Sequence, residues 1–462
     1  MSLSGGGRLG DHLIACHECD ALHHLQALPE QCEAYCANCD ALLYRHVGEQ
    51  SIHRSLALHL TALLLFIIAN SFPFMSLKLA GRVQTDMLLS APMALFQLGM
   101  NDLGLLVLLT TIVFPLLTML AGLYLLVPAA LNRKAYAMAT VFRVLQGLMP
   151  WSLLGVFMLA VLIAIVKLLD LAEIEVGFSL MAFALLLPVS VMAQKDMDSA
   201  MFWPHDMRLP SAEVSIDKSN DISDDIPDEK LGRALQAGLL HCHTCSLSVA
   251  QAMDQSMDQG GASHCPRCAD HLHARKPDSI SRTWALLIAA IVLLLPANIL
   301  PIMTVTRFTL GEPSTILSGV VHLIAAGMWP LGLIVFFASI MVPVSKLMTL
   351  VFLLYSVHVQ SRWNPVDRTR LYRMTEMIGS WSMVDIFIIG ILTSLVSLDA
   401  LATIEPGIAA SYFAASVVLT MFAAQSFDPR LIWDALDEQA SEESKHMHHM
   451  PEAGDMMLGK LK

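Results

Sequence analysis

Charge is scarce in this chain. Asp, Glu, Lys and Arg make up 15% of 462 residues and aromatic residues 7%, whereas apolar residues reach 55% and the mean hydropathy is +0.59. So little charge excludes a soluble domain of ordinary composition. No glycine-rich phosphate loop of the G-x4-G-K-S/T form occurs, so ATP hydrolysis by that route is not indicated. No nucleophile and base pair and no open metal site stands out, which makes a membrane enzyme the weakest reading. A secretory signal peptide is not expected either, because the first roughly 54 residues are polar and carry a cysteine cluster in place of a short apolar stretch. The net charge of -12 gives no reason to expect a nucleic-acid partner.

Cysteine is also sparse, with nine residues, yet eight of them fall into four Cys-x-x-Cys pairs. Cys16, Cys19, Cys36 and Cys39 follow C-x2-C-x16-C-x2-C, and Cys242, Cys245, Cys265 and Cys268 follow C-x2-C-x19-C-x2-C. Two such turns supply the four thiolates of a tetrahedral structural site, and their N–H groups are free to bond the sulfurs. A structural zinc ion is expected in each set, ahead of an iron–sulfur cluster or a redox role. A reducing cytosol keeps such thiols available for metal. Ribbons of this kind fold a segment too small to make its own core. Cys32 is the odd thiol and is expected to be free, while His17, His241, His243 and His264 are expected near the sites without being ligands.

Each cysteine set precedes a block of long apolar segments, and the blocks repeat. Asn70, Pro73, Met75, Ser90, Gly99, Met100, Gly104 and Pro115 recur as Asn298, Pro301, Met303, Ser318, Gly327, Met328, Gly332 and Pro343 at a shift of 228. Arg143, Trp151, Ser152, Phe157, Glu175 and Gly177 recur as Arg373, Trp381, Ser382, Phe387, Glu405 and Gly407 at a shift of 230. A period this long is a domain duplication. Each block holds four runs near the 17 to 25 residues that a helix needs to cross a hydrocarbon core about 30 Å thick. They lie near 55–75, 103–127, 151–169 and 176–193, then 284–302, 331–355, 381–398 and 406–423.

The expected fold is an all-α polytopic membrane protein with eight transmembrane helices in two homologous four-helix halves, each preceded by a small zinc ribbon. The expected divisions are a ribbon over 1–54, helices over 55–195, an acidic linker over 196–235, a ribbon over 236–280, helices over 281–433 and a tail over 434–462. His446, His448 and His449 in that tail offer metal donors, but a disordered tail is the preferred reading. Arg45, Arg54, Arg133, Lys134, Arg143, Arg275, Lys276, Arg282, Arg362, Arg368, Arg370 and Arg373 precede or join spans on one side. The alternate loops carry Lys78, Arg82 and Arg307 among many acidic residues, so both ribbons and both termini are expected to be cytoplasmic. On the outer side, residues 76–86 and 303–310 read as short hairpins, and 88–100 and 316–328 as interfacial helices.

Ionisable residues within a bilayer are costly and usually face a bundle interior or a cavity. Lys346 lies deep in the sixth span and Asp385 one turn past Trp381 in the seventh, placed to pair across antiparallel helices. Their repeat counterparts, Thr118 and Gly155, are uncharged. Pro343 frees the carbonyl of Ser339, as Pro115 frees that of Thr111, so a kink is expected in both halves. Ser339 lies two turns from Lys346, and Ser382 and Thr420 are candidates to join them. A transport role for this polar set competes with a structural staple or a snorkelling lysine.

The paired knuckles, Asn-x-x-Pro-x-Met at the end of the first span, Trp-Ser at the start of the third, and Asp428-Pro-Arg-Leu-Ile-Trp433 resemble the paraquat-inducible protein A family over about residues 12–434. The resemblance implies a Gram-negative inner-membrane protein that works with a periplasmic MCE-domain channel protein in trafficking membrane phospholipids and in envelope integrity. A passive membrane anchor for the MCE partner and a proton-coupled small-solute transporter are the alternatives.

Overall fold

Among the described residues, eight apolar helices are long enough to cross a bilayer, and the chain is therefore a multi-pass membrane protein. The computed structural model describes residues 13–24, 29, 32–45, 49–79, 82–133, 135–169, 173–197, 199–203, 232–250, 264–307, 310–325, 327–395 and 402–436. The acidic stretch 206–229 and the histidines at 446, 448 and 449 lie outside the described residues. Spans 1 to 4 are Gln50–Ser71, Asn101–Ala130, Met138–Val166 and Phe178–Lys195; spans 5 to 8 are Ser279–Ile299, Trp329–His358, Pro365–Leu395 and Ile408–Ser426. Spans 3 and 7 begin more than a dozen residues before their apolar runs. Each opens with a more polar helix, Met138–Leu148 or Pro365–Gly379, that enters the apolar part through a short 3-10 turn. Charged residues such as Arg368 and Arg370 hid this continuity from an apolar-run criterion.

Opposite the ribbons, each half carries a three-stranded antiparallel sheet in place of the expected two-stranded hairpin. Met75–Leu79 pairs with Arg82–Asp86 on one side and with Glu173–Val176 on the other. In the second half Met303–Arg307 pairs with Leu310–Ser314 and with Ala402–Pro406. The third strand comes from the loop before the fourth span of each half. Gly177 and Gly407 permit its exit, because a Cβ at either would lie 2.2 Å from the carbonyl oxygen of Pro73 or Pro301. The interfacial helices are Ser90–Gln97 and Ile316–Ala325. Gly99 and Gly327 end them at φ near +80°, and Met100 and Met328 N–H groups reach back to the carbonyls of Leu95 and Leu323 at 3.0 Å. This Schellman closure gives the repeated Gly-Met pair its physical reason.

The expected kinks at Pro115 and Pro343 take the form of π-helical turns, Leu109–Val113 and Phe337–Met341, directly before the prolines' helices. A wider turn absorbs the proline ring without leaving the helix, and such bulges recur at functional positions.

The halves meet around repeat-equivalent residues: the Phe157 and Phe387 rings lie 5.6 Å apart, edge to face. Their packing is nevertheless unequal. Span 7 is 83% buried against 39% for its counterpart, span 3. Helix Ser90–Gln97 lies on span 7, with Gly390 facing Ala91 and Leu95, whereas helix Ile316–Ala325 makes no comparable contact with span 3.

The ribbons are exchanged between the halves. The first cysteine cluster shares a core with Leu287, Leu350, Tyr372, Phe427 and Trp433 of the second half. The second cluster shares one with Leu125, Phe142, Met197 and Trp203 of the first. Between them the ribbons join through the Ala21 and Arg233 bridge and through the Ala15 N–H donated to Ser248 Oγ at 3.3 Å.

On the sheet side, Ser394 Oγ of span 7 donates to the buried Asp86 carboxylate at 2.7 Å, tying one half to the other. Burial pushes the Asp86 carboxyl up to about 6, against the opposing pull of hydrogen bonds from Ser394, Ser90 and the Met87 N–H. An unfolded aspartate titrates near 3.9. The protonated form is thus favoured in the fold, and stability is greatest below about pH 4 and declines as pH rises through about 6. Asp86→Asn keeps an acceptor for Ser394 without the charge. In thermal unfolding it should be more stable than the parent at pH 7, by up to about 3 kcal/mol, with the advantage vanishing toward pH 4. A gap between the two proteins that does not change with pH would contradict this.

Candidate metal centres and intramembrane polar cavities

All four Cys-x-x-Cys turns adopt one local geometry. The first cysteine's carbonyl accepts from the N–H four residues on, at 2.8 to 3.0 Å, and its N–H donates to the carbonyl five residues on, at 2.7 to 2.9 Å. The residue after each second cysteine, Asp20, Asp40, Ser246 and Ala269, has φ between +56° and +63°. The sulfurs converge: Cys16 to Cys39, Cys19 to Cys36, Cys242 to Cys268 and Cys245 to Cys265 are each 3.5 Å apart. Thiolates around a tetrahedral ion with bonds of about 2.3 Å lie roughly 3.8 Å apart. Both four-cysteine clusters are buried and have the geometry to hold a metal ion. Cys32 is exposed and outside them.

Among the histidines beside the sites, His243 Nε2 lies 2.7 Å from Arg430 Nη2, and His17 lies against Glu18. His264 forms a bridge with His271, and His241 is buried. The residue missed from sequence is His23, whose Nε2 is 3.2 Å from Cys36 Sγ. No spacing rule distinguishes it from the other histidines.

Equivalent arginines hold the exchanged ribbons. Arg143 donates to the Ala269 carbonyl at 3.4 Å, and Arg373 donates to the Cys39 and Asp40 carbonyls at 2.9 and 3.3 Å. Both thus grasp the left-handed corner of a knuckle. Arg373 also forks onto Glu18, a geometry that suits a guanidinium and a carboxylate. The Asp-Pro-Arg motif after span 8 is a clasp. Asp428 accepts from Arg430 Nε and Nη2 and from the Lys276 N–H at 2.9 to 3.0 Å, and its own N–H donates to Ser279 Oγ. Burial alone would raise its carboxyl, but Arg430 outweighs that and holds it at about 2. Arg275 joins Asp20 of the first ribbon to Asp434 beyond the last span.

The polar residues expected within the membrane divide between two cavities. Ser339 and Asp385 line a cleft of about 570 Å³ with Ile163, Ile316, Leu323 and Ile388, where helix Ile316–Ala325 stands off span 3. Lys346 instead lines a cavity of about 840 Å³ with Arg373, Glu376, Gly379 and Gln425 on the ribbon side. Ser339 lies inside the π turn Phe337–Met341, whose wider winding rotates it relative to Lys346, so seven residues no longer return to one face. Ser382 and Thr420 line neither cavity; Thr420 Oγ1 donates to the Val417 carbonyl at 2.7 Å. Ser339 and Ser382 hydroxyls are buried without a hydrogen-bond partner among the described residues. Glu376 was missed because the apolar run was taken to begin at Trp381. Its repeat counterpart is Gln146.

The model of the family described as paraquat-inducible protein A matches residues 52–206 and 280–437. The chain is 32% identical over 432 residues to the intermembrane transport protein PqiA of Escherichia coli (strain K12), covering 93% of this chain and 98% of that one. It is 31% identical to the lipophilic envelope-spanning tunnel protein A of the same organism, over 91% of each. It is 26% identical to a probable intermembrane transport protein of Haemophilus influenzae, over 92% of this chain and 97% of that one. No solved structure matches.

Ribbon exchange makes a specific forecast for metal loss. Cys36→Ser, which breaks the first cluster, should raise hydrogen exchange in the second half, around residues 284–290 and 427–433, and leave residues 138–148 protected. Deprotection confined to the first half would refute the exchange.

Proposed function

This chain belongs to the paraquat-inducible protein A family, and from that premise we propose that it is the inner-membrane component of an MCE-type lipid transport system. It loads phospholipid into a periplasmic MCE channel, or receives it there, and so supports envelope integrity. Both termini and both ribbons lie in the cytoplasm, and the three-stranded sheets face the periplasm toward the MCE partner. The basic residues gathered on the ribbon side support this orientation. Each four-cysteine cluster, Cys16, Cys19, Cys36 and Cys39 or Cys242, Cys245, Cys265 and Cys268, holds a structural zinc ion that fixes its ribbon beneath the helices. Four thiolates leave no open coordination position for catalysis.

End-to-end similarity to proteins named for intermembrane transport is the observation that carries the reading. The intramembrane residues give it a mechanism. Lys346 in the ribbon-side cavity and Ser339 and Asp385 in the sheet-side cleft form the transport path of the second half, and the first half serves as its scaffold. Lys346 attracts the phosphate of a lipid that enters sideways from the bilayer. Asp385, in the wall of the sheet-side cleft with Ser339, acts where the lipid passes on from Lys346 toward the partner. A purely passive anchor would need the sheets but none of these buried groups.

Reconstituted lipid transfer to the MCE partner tests this. Lys346→Ala and Asp385→Ala should each lower transfer at least tenfold, on the order of the 1.4 kcal/mol that separates a bound from an unpaired polar group, while partner capture stays intact. Unchanged transfer in both variants would remove the mechanism.

A further inference from the structure

The ribbon-side cavity adjoins a second one across the line where the halves meet. Pro150 and Ser380, which are repeat equivalents, belong to the walls of both. The second cavity, about 1010 Å³, is walled mainly by apolar groups, Leu153, Gly155, Val156, Leu159 and Trp381, with the hydroxyl residues Ser152 and Ser380 beside them. Its depth in the membrane can be judged from the helices. Spans 3 and 7 have 29 and 31 residues, more than the roughly 20 that a bilayer requires, and their excess lies in the polar helices before the 3-10 turns. Those turns carry Trp151 and Trp381, the residue type that settles at the level of lipid headgroups. The pair of cavities therefore opens at the headgroup level of the ribbon-side leaflet.

The charges in the polar cavity are unusual in their freedom. Lys346 is 4% exposed, and among the described residues its ammonium has neither a hydrogen bond nor an ion pair. Glu376 acts on it electrostatically across the cavity without closing into a salt bridge, and feels Lys276, outside the cavity wall, more strongly. Gly379 makes room, because a Cβ there would sit 2.7 Å from Lys346 Nζ. Arg373, the third charged wall residue, is already engaged by Glu18 and the first ribbon. What faces the space is thus one cation and one anion, held apart. The first half has Thr118, Gln146 and Met149 at the positions of Lys346, Glu376 and Gly379. Its corresponding cavity, with Thr118 and Met149 in its wall, is only about 290 Å³.

We propose that the two adjoining cavities form one site for a zwitterionic aminophospholipid from the ribbon-side leaflet. Lys346 takes the phosphodiester, Glu376 takes the primary ammonium, and the acyl chains lie along the apolar wall past Gly155. The arrangement is selective because an anionic headgroup without an amine leaves Glu376 facing a phosphate or hydroxyls in a buried place, where an unpaired charge is costly. An ammonium too far from Glu376, or no ammonium at all, forfeits that pairing. This site rests on the lipid-handling function proposed above and gives it a headgroup class and an entry leaflet.

Native mass spectrometry of the metal-loaded full chain, released from nanodiscs of equal phosphatidylethanolamine and phosphatidylglycerol, tests the site. The parent should retain phosphatidylethanolamine roughly tenfold over phosphatidylglycerol. Glu376→Gln, nearly isosteric, should abolish that preference, and Lys346→Gln should lower retention of both lipids. Gly155→Phe, at a position with no neighbour within 4 Å, should fill the apolar arm and lower retention with both charges intact. Thr118→Val should change nothing, and glycerophosphoethanolamine should not displace the lipid if the chains contribute as described. Equal retention of the two lipids by the parent, or a preference that survives Glu376→Gln in a variant with unchanged melting, would overturn the proposal. Lipid transfer to the partner without selective retention would sink this site and spare the function. Selective retention with no transfer would sink the function and spare the site.

Discussion

Neither cysteine ribbon contains enough apolar interior to stand by itself, and the need to bury its knuckles on a helix bundle organises the molecule. Two corners meet that need in the same way. A left-handed residue after the second cysteine turns a carbonyl outward, and an arginine from the opposite half, Arg143 or Arg373, takes it. The Asp428 clasp and the Arg275 bridge then lock the end of span 8, the start of span 5 and the first ribbon into one polar layer. Removing a partner from so buried a set leaves a charge without compensation, which is costlier than the set's net contribution.

Within the membrane the same duplication yields unequal halves. Both π turns, both sheets and both Schellman closures are kept, and of these the π turns keep backbone groups paired at a depth that has no water to offer. The side chains diverge. Helix Ser90–Gln97 closes on span 7 through Gly390, and its counterpart leaves a cleft beside span 3. Lys346 and Glu376 stand where the first half has Thr118 and Gln146. One copy has the packing of a scaffold, and the other retains space and charge.

Much of this was legible in the sequence. Apolar runs gave all eight spans, and the Cys-x-x-Cys spacing gave both clusters, because period and spacing are local signals. What escaped depended on tertiary context. The polar helix that opens span 7 contains Arg368, which is buried yet hydrogen-bonded to Ser356 and Ser361, so its burial had no apolar signature. The third strands are only four and five residues long and pair across about a hundred residues. The seven-residue spacing of Ser339 and Lys346 predicts a shared helical face, but the π turn that contains Ser339 turns it away. Ribbon exchange left no trace in chain order, although Arg143 and Arg373, its anchors, were among the residues that the repeat picked out.

Exchange of the ribbons also orders the life of the chain as it is made. The second ribbon follows the first half directly and finds its seat as soon as it emerges. The first ribbon, synthesised before either set of helices, has its seat among Leu350, Tyr372, Phe427 and Trp433, and waits for the second half to be made. Domains generally fold in the order in which they are synthesised; here the earliest segment is among the last to dock. A chain that stops short of Asp428 leaves that ribbon without a berth, so the docking of the first ribbon reports whether synthesis and insertion have passed the last span.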